Sequence, residues 1–424
     1  MELVRCPCRF AVMRAQMSKS LCGNCLWGGV FSRQPASSRL FGVENKSRPE
    51  GGCRLIARPT LTHGANVALF VLVLCASAQG QIRLNQIQVI GSHNSYHAGM
   101  ALSETAWLTK LNPKSAAGLE YRHPSLDVQL SNGVRQVEID VYADVAGRRY
   151  AHPANLKMVA DAGLPADPPF DPQGLFLKPG FKVMHAQDID YRSNCQPFTG
   201  CLAVILNWSK AHPGHLPIFV LIETKDGKSR DWQVEPEKFS PAVFDALDKE
   251  IRSVVPANKM IVPDDVRGKL PTLEDVALAG GWPTVDASRG KLVFLLDQRR
   301  EGPHYLEGHP ALRGRVIFTN AEPGTPDAAF IEVNDPLKDP SLIPALVKKG
   351  YLVRTRTDAD TVEARSGDTK MRDAALESGA QILSSDYYFN EKASWTGFSV
   401  SFPKGEIARC NPVTGTHCEG PIRP

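Results

Sequence analysis

Along this 424-residue chain, apolar positions fall into short unbroken runs separated by longer stretches of mixed pattern. After residue 80, runs rich in Val, Ile, Leu and Phe occupy residues 87–90, 136–142, 182–185, 218–224, 291–296, 316–319, 351–356 and 381–384. Strands covered on both faces read this way, because neither face alternates with solvent. Helical spacing lies between them. It is clearest in residues 240–255, where Phe244, Leu247, Ile251 and Val255 recur every three or four positions. Residues 201–211, 339–349 and 369–378 are further candidate helices. Eight strands alternating with helices predict an α/β fold, a (β/α)8 TIM-type barrel. Three connections are long, at residues 101–131, 144–180 and 226–290. Pro and Gly cluster in residues 165–180, which predicts irregular structure there. The tail after Asn390 is expected to pack against the outside of the barrel.

Residues 1–80 have a different character. Up to residue 66 they are rich in Arg, Ser, Gly and Cys and show no sustained period. The run VALFVLVLCA at residues 67–76 is too short to span a bilayer, which takes ~20 residues. With Ala76 at its end and Ala78 after it, it fits a secretory h-region and cleavage site. The expected organisation is a leader and signal segment over 1–80, then one catalytic domain over 81–424. The expected location is secreted or periplasmic. Six of the ten cysteines lie at or before Cys75; the others form two close pairs, Cys195/Cys201 and Cys410/Cys418. In an exported domain these favour two local disulfides, and neither pair has zinc-site spacing. A hydrophobic fraction of 42% and a net charge of +4 describe an ordinary globular chain. No long basic run with interleaved aromatics occurs, so nucleic acid is set aside as a partner.

The chemistry gathers where the first strands stop. The stretch 87–97, IQVIGSHNSYH, delivers His93 and Asn94; VEIDVY delivers Glu138 and Asp140; KVMH delivers His185; IFVLIETK delivers Glu223 and Lys225. Alternation puts Glu138 with Asp140, and Glu223 with Lys225, on common faces. Buried carboxylates are costly unless paired or bound to a metal. Three carboxylates and the Asn94 amide oxygen form a hard, all-oxygen set suited to Ca²⁺. The bland reading is a buried salt-bridge network, with Lys225 neutralising one acid. A histidine pKa lies near neutrality, so two imidazoles beside such a set suit metal-assisted phosphodiester cleavage. Asp188 and Asp190 read as loop-capping acids, and His97 as a locally bonded side chain. Asp386 and Tyr387 either line the mouth or end the last strand.

These blocks resemble the calcium-dependent phosphoinositide-specific phospholipase C group in its secreted bacterial form. GSHNSYH is similar to its S-H-N-T/S-Y block and VEIDVY to its E-[LI]-D strand, and the interval from His185 to Glu223 matches. LVRTRTD and GAQILSSDYY are similar to its last two strands. The resemblance implies Asn94, Glu138, Asp140 and Glu223 as Ca²⁺ ligands. It implies His93 as stabiliser of the pentacoordinate phosphorus and His185 as general acid. Glu138 or Glu223 would serve as base. Arg354 would meet the head group. Arg356, on the same strand face, and Lys225 are further substrate-binding candidates, although each of these cations can instead pair with a barrel acid. A phospholipid substrate at a transient membrane surface follows, with no obligate protein partner. Where eukaryotic members carry lysines after strand five, this chain has Leu296, Asp297 and Gln298, which favours plain phosphatidylinositol. His152, in RRYAHP, rivals His185 as the acid. A glycerophosphodiester phosphodiesterase or phospholipase D-like enzyme on the same barrel is an alternative. A non-catalytic secreted binding protein is another.

Overall fold

Eight parallel strands ring the core of the computed structural model, which describes residues 81–415, 418, 422 and 423. They are β1 (Ile87–Ser92), β2 (Gln136–Tyr142), β3 (Ile218–Thr224), β4 (Leu292–Leu296), β5 (Ile317–Phe318), β6 (Phe330–Glu332), β7 (Leu352–Arg356) and β8 (Ile382–Ser385). β1 pairs with β2 on one side and β8 on the other. The order continues β2–β3–β4–β5 in one direction and β8–β7–β6 in the other. A parallel bridge between Asn320 and Phe330 joins β5 to β6, with the Ala321 N–H donating to the Phe330 carbonyl at 3.1 Å. The ring is the expected TIM-type barrel. Its strands are buried along nearly their whole length, as unbroken apolar runs require.

Seven of the eight expected runs are barrel strands. The exception is 182–185. Lys182–Val183 pairs antiparallel with the end of β2, Val183 opposite Val141, and lies outside the ring. It is held there by Lys182, whose buried ammonium donates to the carbonyls of Lys178 (2.6 Å) and Gly180 (2.9 Å) and pairs with Asp144 (3.1 Å). The missing barrel strand is β6, three residues long and therefore without a readable period.

The helices fall where the spacing puts them. Pro241–Val254 is capped by Ser240, whose hydroxyl accepts from the Val243 N–H, and buries Phe244, Leu247 and Ile251. Phe198–Ala211, Leu342–Lys349 and Lys370–Glu377 are the others. Residues 165–180 carry one 3₁₀ turn, Leu175–Leu177, and are otherwise irregular. The connection from β1 to β2 carries the helices Leu102–Leu111, Pro113–Gly118 and Leu126–Ser131. In the tail, Ala408–Cys410 pairs antiparallel with residues 87–89 of β1. Both local disulfides are formed, Cys195–Cys201 and Cys410–Cys418. Among the described residues no helix is long and apolar enough to cross a membrane. The leader and signal-like segment lie outside the described residues.

Candidate active site

Parallel register sets the first layer of the site. Asp140 on β2 lies opposite Glu223 on β3, so these side chains and Glu138 share the face turned into the ring. Carboxylate oxygens of Glu138, Asp140 and Glu223 lie within 4.8 Å of one another. Two cations answer them. The Lys225 ammonium is 3.0 Å from Asp140 and 2.6 Å from Glu223. The Arg354 guanidinium is 2.6 Å from Glu138, donates to the Ser384 hydroxyl at 3.1 Å, and pairs with Glu332, its register partner on β6.

Negative charge remains in excess. Burial, opposed by Arg354, pushes the Glu138 carboxyl up to about 7. Burial, with Glu223 and Glu138 adding to it against Lys225, holds Asp140 well above the usual carboxylate range. Asp297 and Glu332 are also raised, chiefly by burial, and share a hydrogen bond. Glu223 is the exception: burial would raise it, but Lys225 outweighs burial and holds it low. Asp140 Oδ1 is buried and has no hydrogen-bond partner among the described residues. An unpartnered oxygen inside a cluster of hard donors is what a bound divalent cation would satisfy, so the donor set fits Ca²⁺.

The turn after β1 is stapled to this layer. Asn94 takes a left-handed φ of 44°, which Asn tolerates better than most residues. Its amide donates to the Tyr121 hydroxyl at 2.7 Å, and its Oδ1 accepts from Tyr96 at 3.4 Å. Ser95 exchanges two bonds with Glu138: its N–H donates to the Glu138 carbonyl (3.0 Å), and its hydroxyl accepts from the Glu138 N–H (2.8 Å). His93 therefore stands over the carboxylates. Its Nε2 is 3.5 Å from Glu138, and its Nδ1 is 2.8 Å from Asp386. Arg356 reaches both His93 Nε2 (3.1 Å) and Asp386 (3.3 Å). Burial, then Arg356 and Arg354, hold the His93 pKa well below the ordinary imidazole value. His123 Nε2 donates to the His93 carbonyl at 2.8 Å and fixes it from behind.

His185 arrives from the segment after Lys182–Val183 rather than from a barrel strand. Its Nδ1 is 3.0 Å from Asp190 Oδ2. The same carboxylate takes His97 Nε2 at 2.9 and 3.0 Å from behind. Burial would raise Asp190, but His97 and His185 together hold it well below the usual range. His97 is raised: burial opposes its charge, and Asp190 more than compensates. The other His185 nitrogen is left for the cavity that His185 and His93 line together.

The structure thus brings Glu138, Asp140 and Glu223 together, with His93 3.5 Å from Glu138 and His185 on the same cavity as His93, while Asn94 lies buried in the turn after β1 with its Oδ1 accepting from Tyr96. Lys225 and Arg354 face the acids. Arg354 is only 1% exposed, so acid pairing, the alternative left open for it, is the arrangement found. Arg356 is engaged by His93 and Asp386. His152 is exposed on the turn before the helix Ala154–Asp161. Asp188 caps that helix as expected, accepting from the Ala154 N–H at 2.8 Å. Asp190 and His97 depart from their bland readings, because they bond to each other across 93 positions. Asp386, His123, Asp297 and Glu332 complete the site. Of these, Asp386 alone carried a signal, as the acid that ends the last strand.

A TIM-type barrel that gathers buried carboxylates at its strand ends, with one imidazole on the turn after β1 and another from the segment after Lys182–Val183, has the layout of a barrel enzyme. The chain is a member of the Ca²⁺-dependent phosphoinositide phospholipase C family, whose model matches residues 82–412. It is therefore homologous to phosphoric diester hydrolases, and the glycerophosphodiesterase-like and non-catalytic alternatives are not favoured. Among solved structures it is similar to the calcium-dependent phosphoinositol-specific phospholipase C of a Pseudomonas species, with 16% identity, 79% of this chain and 97% of that chain covered, and a TM-score of 0.47. The Ca²⁺-dependent enzyme of Streptomyces antibioticus is 20% identical over 72% of this chain and 95% of that one, TM-score 0.46. The phosphatidylinositol-specific phospholipase C of Listeria monocytogenes is 13% identical over 73% and 91%, TM-score 0.39. No curated protein is similar enough in sequence to count as a relative.

Proposed function

We propose that this chain cleaves phosphatidylinositol at the bond between phosphorus and the glycerol oxygen, releasing diacylglycerol and a cyclic inositol phosphate. The observation that carries the reading is the approach of three carboxylates to within 4.8 Å beneath His93, with His185 on the same cavity. Asn94, Glu138, Asp140 and Glu223 would hold Ca²⁺, which supplies an electrophile for the inositol 2-hydroxyl and a phosphoryl oxygen.

The chain's own groups do the rest. Glu223, held low by Lys225 and at 23% side-chain exposure against 2% for Glu138, is the acid a substrate hydroxyl reaches. It takes the proton of the 2-hydroxyl. Attack by a hydroxyl already in the substrate converts a bimolecular step into an intramolecular one. His93, steadied by Asp386, and Arg356 face the phosphoryl oxygens. His185, held through Nδ1 by Asp190, gives its Nε2 proton to the departing glycerol oxygen. The enzyme works at a membrane surface without an obligate protein partner. It acts outside the cytoplasm, in keeping with two disulfides.

Product analysis on phosphatidylinositol, with and without chelator, tests this. A chelator-sensitive cyclic inositol phosphate is expected. Phosphatidic acid, a free alcohol, or no turnover on any diester would reject it.

A further inference from the structure

Arg354 and Arg356 alternate along β7, and Asp358 follows at the same two-residue spacing just past the end of the strand. The two arginines pair with acids of the barrel. Asp358 has no such answer. Its carboxylate is fully buried, and among the described residues no cationic side chain pairs with it; Arg356 is engaged by Asp386 instead, at 3.3 Å. A buried carboxylate without a cation is costly unless hydrogen bonds support it. Three do. The Ser385 hydroxyl donates to Oδ1 at 2.5 Å, the Thr357 hydroxyl to the same oxygen at 2.7 Å, and the Asp386 N–H to Oδ2 at 3.0 Å. Burial, with Asp386 adding to it, pushes the carboxyl up to about 6, against Arg356 and the two hydroxyls.

Two of these donors belong to the residues that hold His93. The Ser385 carbonyl accepts the His93 N–H at 3.0 Å, and the Asp386 carboxylate meets His93 Nδ1 at 2.8 Å. Ser385 is also the register partner of Ser92, the residue before His93. One buried acid therefore grips the side chain of residue 385 and the backbone of residue 386. That turn is bonded to the imidazole through both main chain and side chain.

We propose that Asp358 is a positioning residue: by holding the Ser385 hydroxyl and the Asp386 N–H it fixes the Asp386 carboxylate against His93 Nδ1, and so sets where that imidazole points. The inference rests on the phospholipase reading only for what His93 faces. The clamp itself concerns Asp358, Asp386 and His93. Substitutions separate its geometry from its charge. In Asp358→Asn the amide oxygen can accept the Asp386 N–H while the NH2 donates to the two hydroxyls, which also accept. Asp358→Ala leaves all three donors unmet.

The test compares kcat and KM on phosphatidylinositol for Asp358→Ala, Asp358→Asn, Asp386→Ala and the double variant Asp358→Ala/Asp386→Ala, each first shown to be folded by its urea midpoint. Asp358→Ala should lower kcat about 10²-fold, the cost of a misplacement of ~1 Å, with KM nearly unchanged. Asp358→Asn should bring kcat back to within about threefold of the wild type. With Asp386 already replaced by Ala, the same Asp358→Ala change should cost less than about threefold, because the group it positions is gone. Additive losses in the double variant, or a wild-type kcat in Asp358→Ala, overturn the proposal. Equal losses in Asp358→Ala and Asp358→Asn also overturn it, since they assign the effect to charge. Should Asp358→Ala fail to fold, Ser385→Ala removes one arm of the clamp and takes its place, with the same expected signs. Nitrogen NMR of the histidine rings needs no substrate: Asp358→Ala should move the His93 Nδ1 resonance in the direction that Asp386→Ala moves it. An unmoved resonance overturns the clamp. A moved one, in a protein that cleaves no phosphodiester, supports the clamp and rejects only the phospholipase reading.

Discussion

Asp190→Asn is the sharpest probe of how the acid is held. In the wild type one buried carboxylate serves two imidazoles, His185 at 3.0 Å and His97 at 2.9 Å. Both rings meet Oδ2, and an amide oxygen in its place can still accept from both, but the substitution removes the negative charge that the two imidazoles share. A hydrogen bond to a charged group contributes about 1.5–3 kcal/mol, which sets the expected loss of stability. His185 would lose the charged anchor that directs its Nε2 at the leaving oxygen, and general acid catalysis supplies roughly 10²–10⁴-fold. A fall in kcat of about 10²-fold with little change in KM is therefore expected.

The pH dependence has a definite sign. Asp190 is depressed, so its contribution is complete above its unfolded pKa of ~3.9 and is lost as pH falls toward the folded value. His97 is raised, so its contribution is complete below ~6.5 and is lost as pH rises through the folded value. The wild type's advantage over the variant, read from urea midpoints, should peak between about pH 4 and 6.5 and shrink on either side. A variant with unchanged kcat and a constant stability difference across that range would refute the coupling of His97, Asp190 and His185.

Four further outcomes follow. Ca²⁺ at a hundredfold excess over Kd should stabilise the chain by about 2.7 kcal/mol in thermal melts, an effect abolished by chelator. Because the Glu138 carboxyl sits at about 7, Ca²⁺ binding should release protons and tighten as pH rises through that value, which calorimetry in buffers of different ionisation enthalpy would detect. His93→Ala or His185→Ala should remove turnover with Ca²⁺ affinity largely intact, whereas Asn94→Ala or Glu138→Ala should weaken the metal; the reverse pattern would exchange the assigned roles. Opening the Cys195–Cys201 loop, six positions apart, should cost about 2 kcal/mol in urea unfolding, and a loss near zero would mean that packing alone orders that turn.

Much of this arrangement was legible before any coordinates. The polar cluster after residues 87–90 stood out because an apolar run ended abruptly in His93 and Asn94, and the period-two spacing of the β2 acids put both on one face of that strand. Periodicity does not report the direction in which a strand pairs, so residues 182–185 read like the other barrel strands. His185 therefore reaches its cavity from an antiparallel segment outside the ring and not from the end of a barrel strand. β6 was too short to see, and Glu332, which offsets Arg354, went with it. Asp190 looked like a loop acid because its partner His97 is 93 positions away, and a lone carboxylate in D-I-D carries no mark of that distance.

The strand that opens the barrel and the segment that closes the chain are stitched together at residues 87–89, the end of β1 remote from His93. Arg409 adds a bond to Gln88 at 2.8 Å, and the Asn411 N–H one to the Gln86 carbonyl at 2.9 Å. A bead or electrode coupled through the C-terminal segment would therefore grip the floor of the molecule. Its catalytic opening would face the bulk liquid, the orientation that a supported lipid film demands of an immobilised sensor.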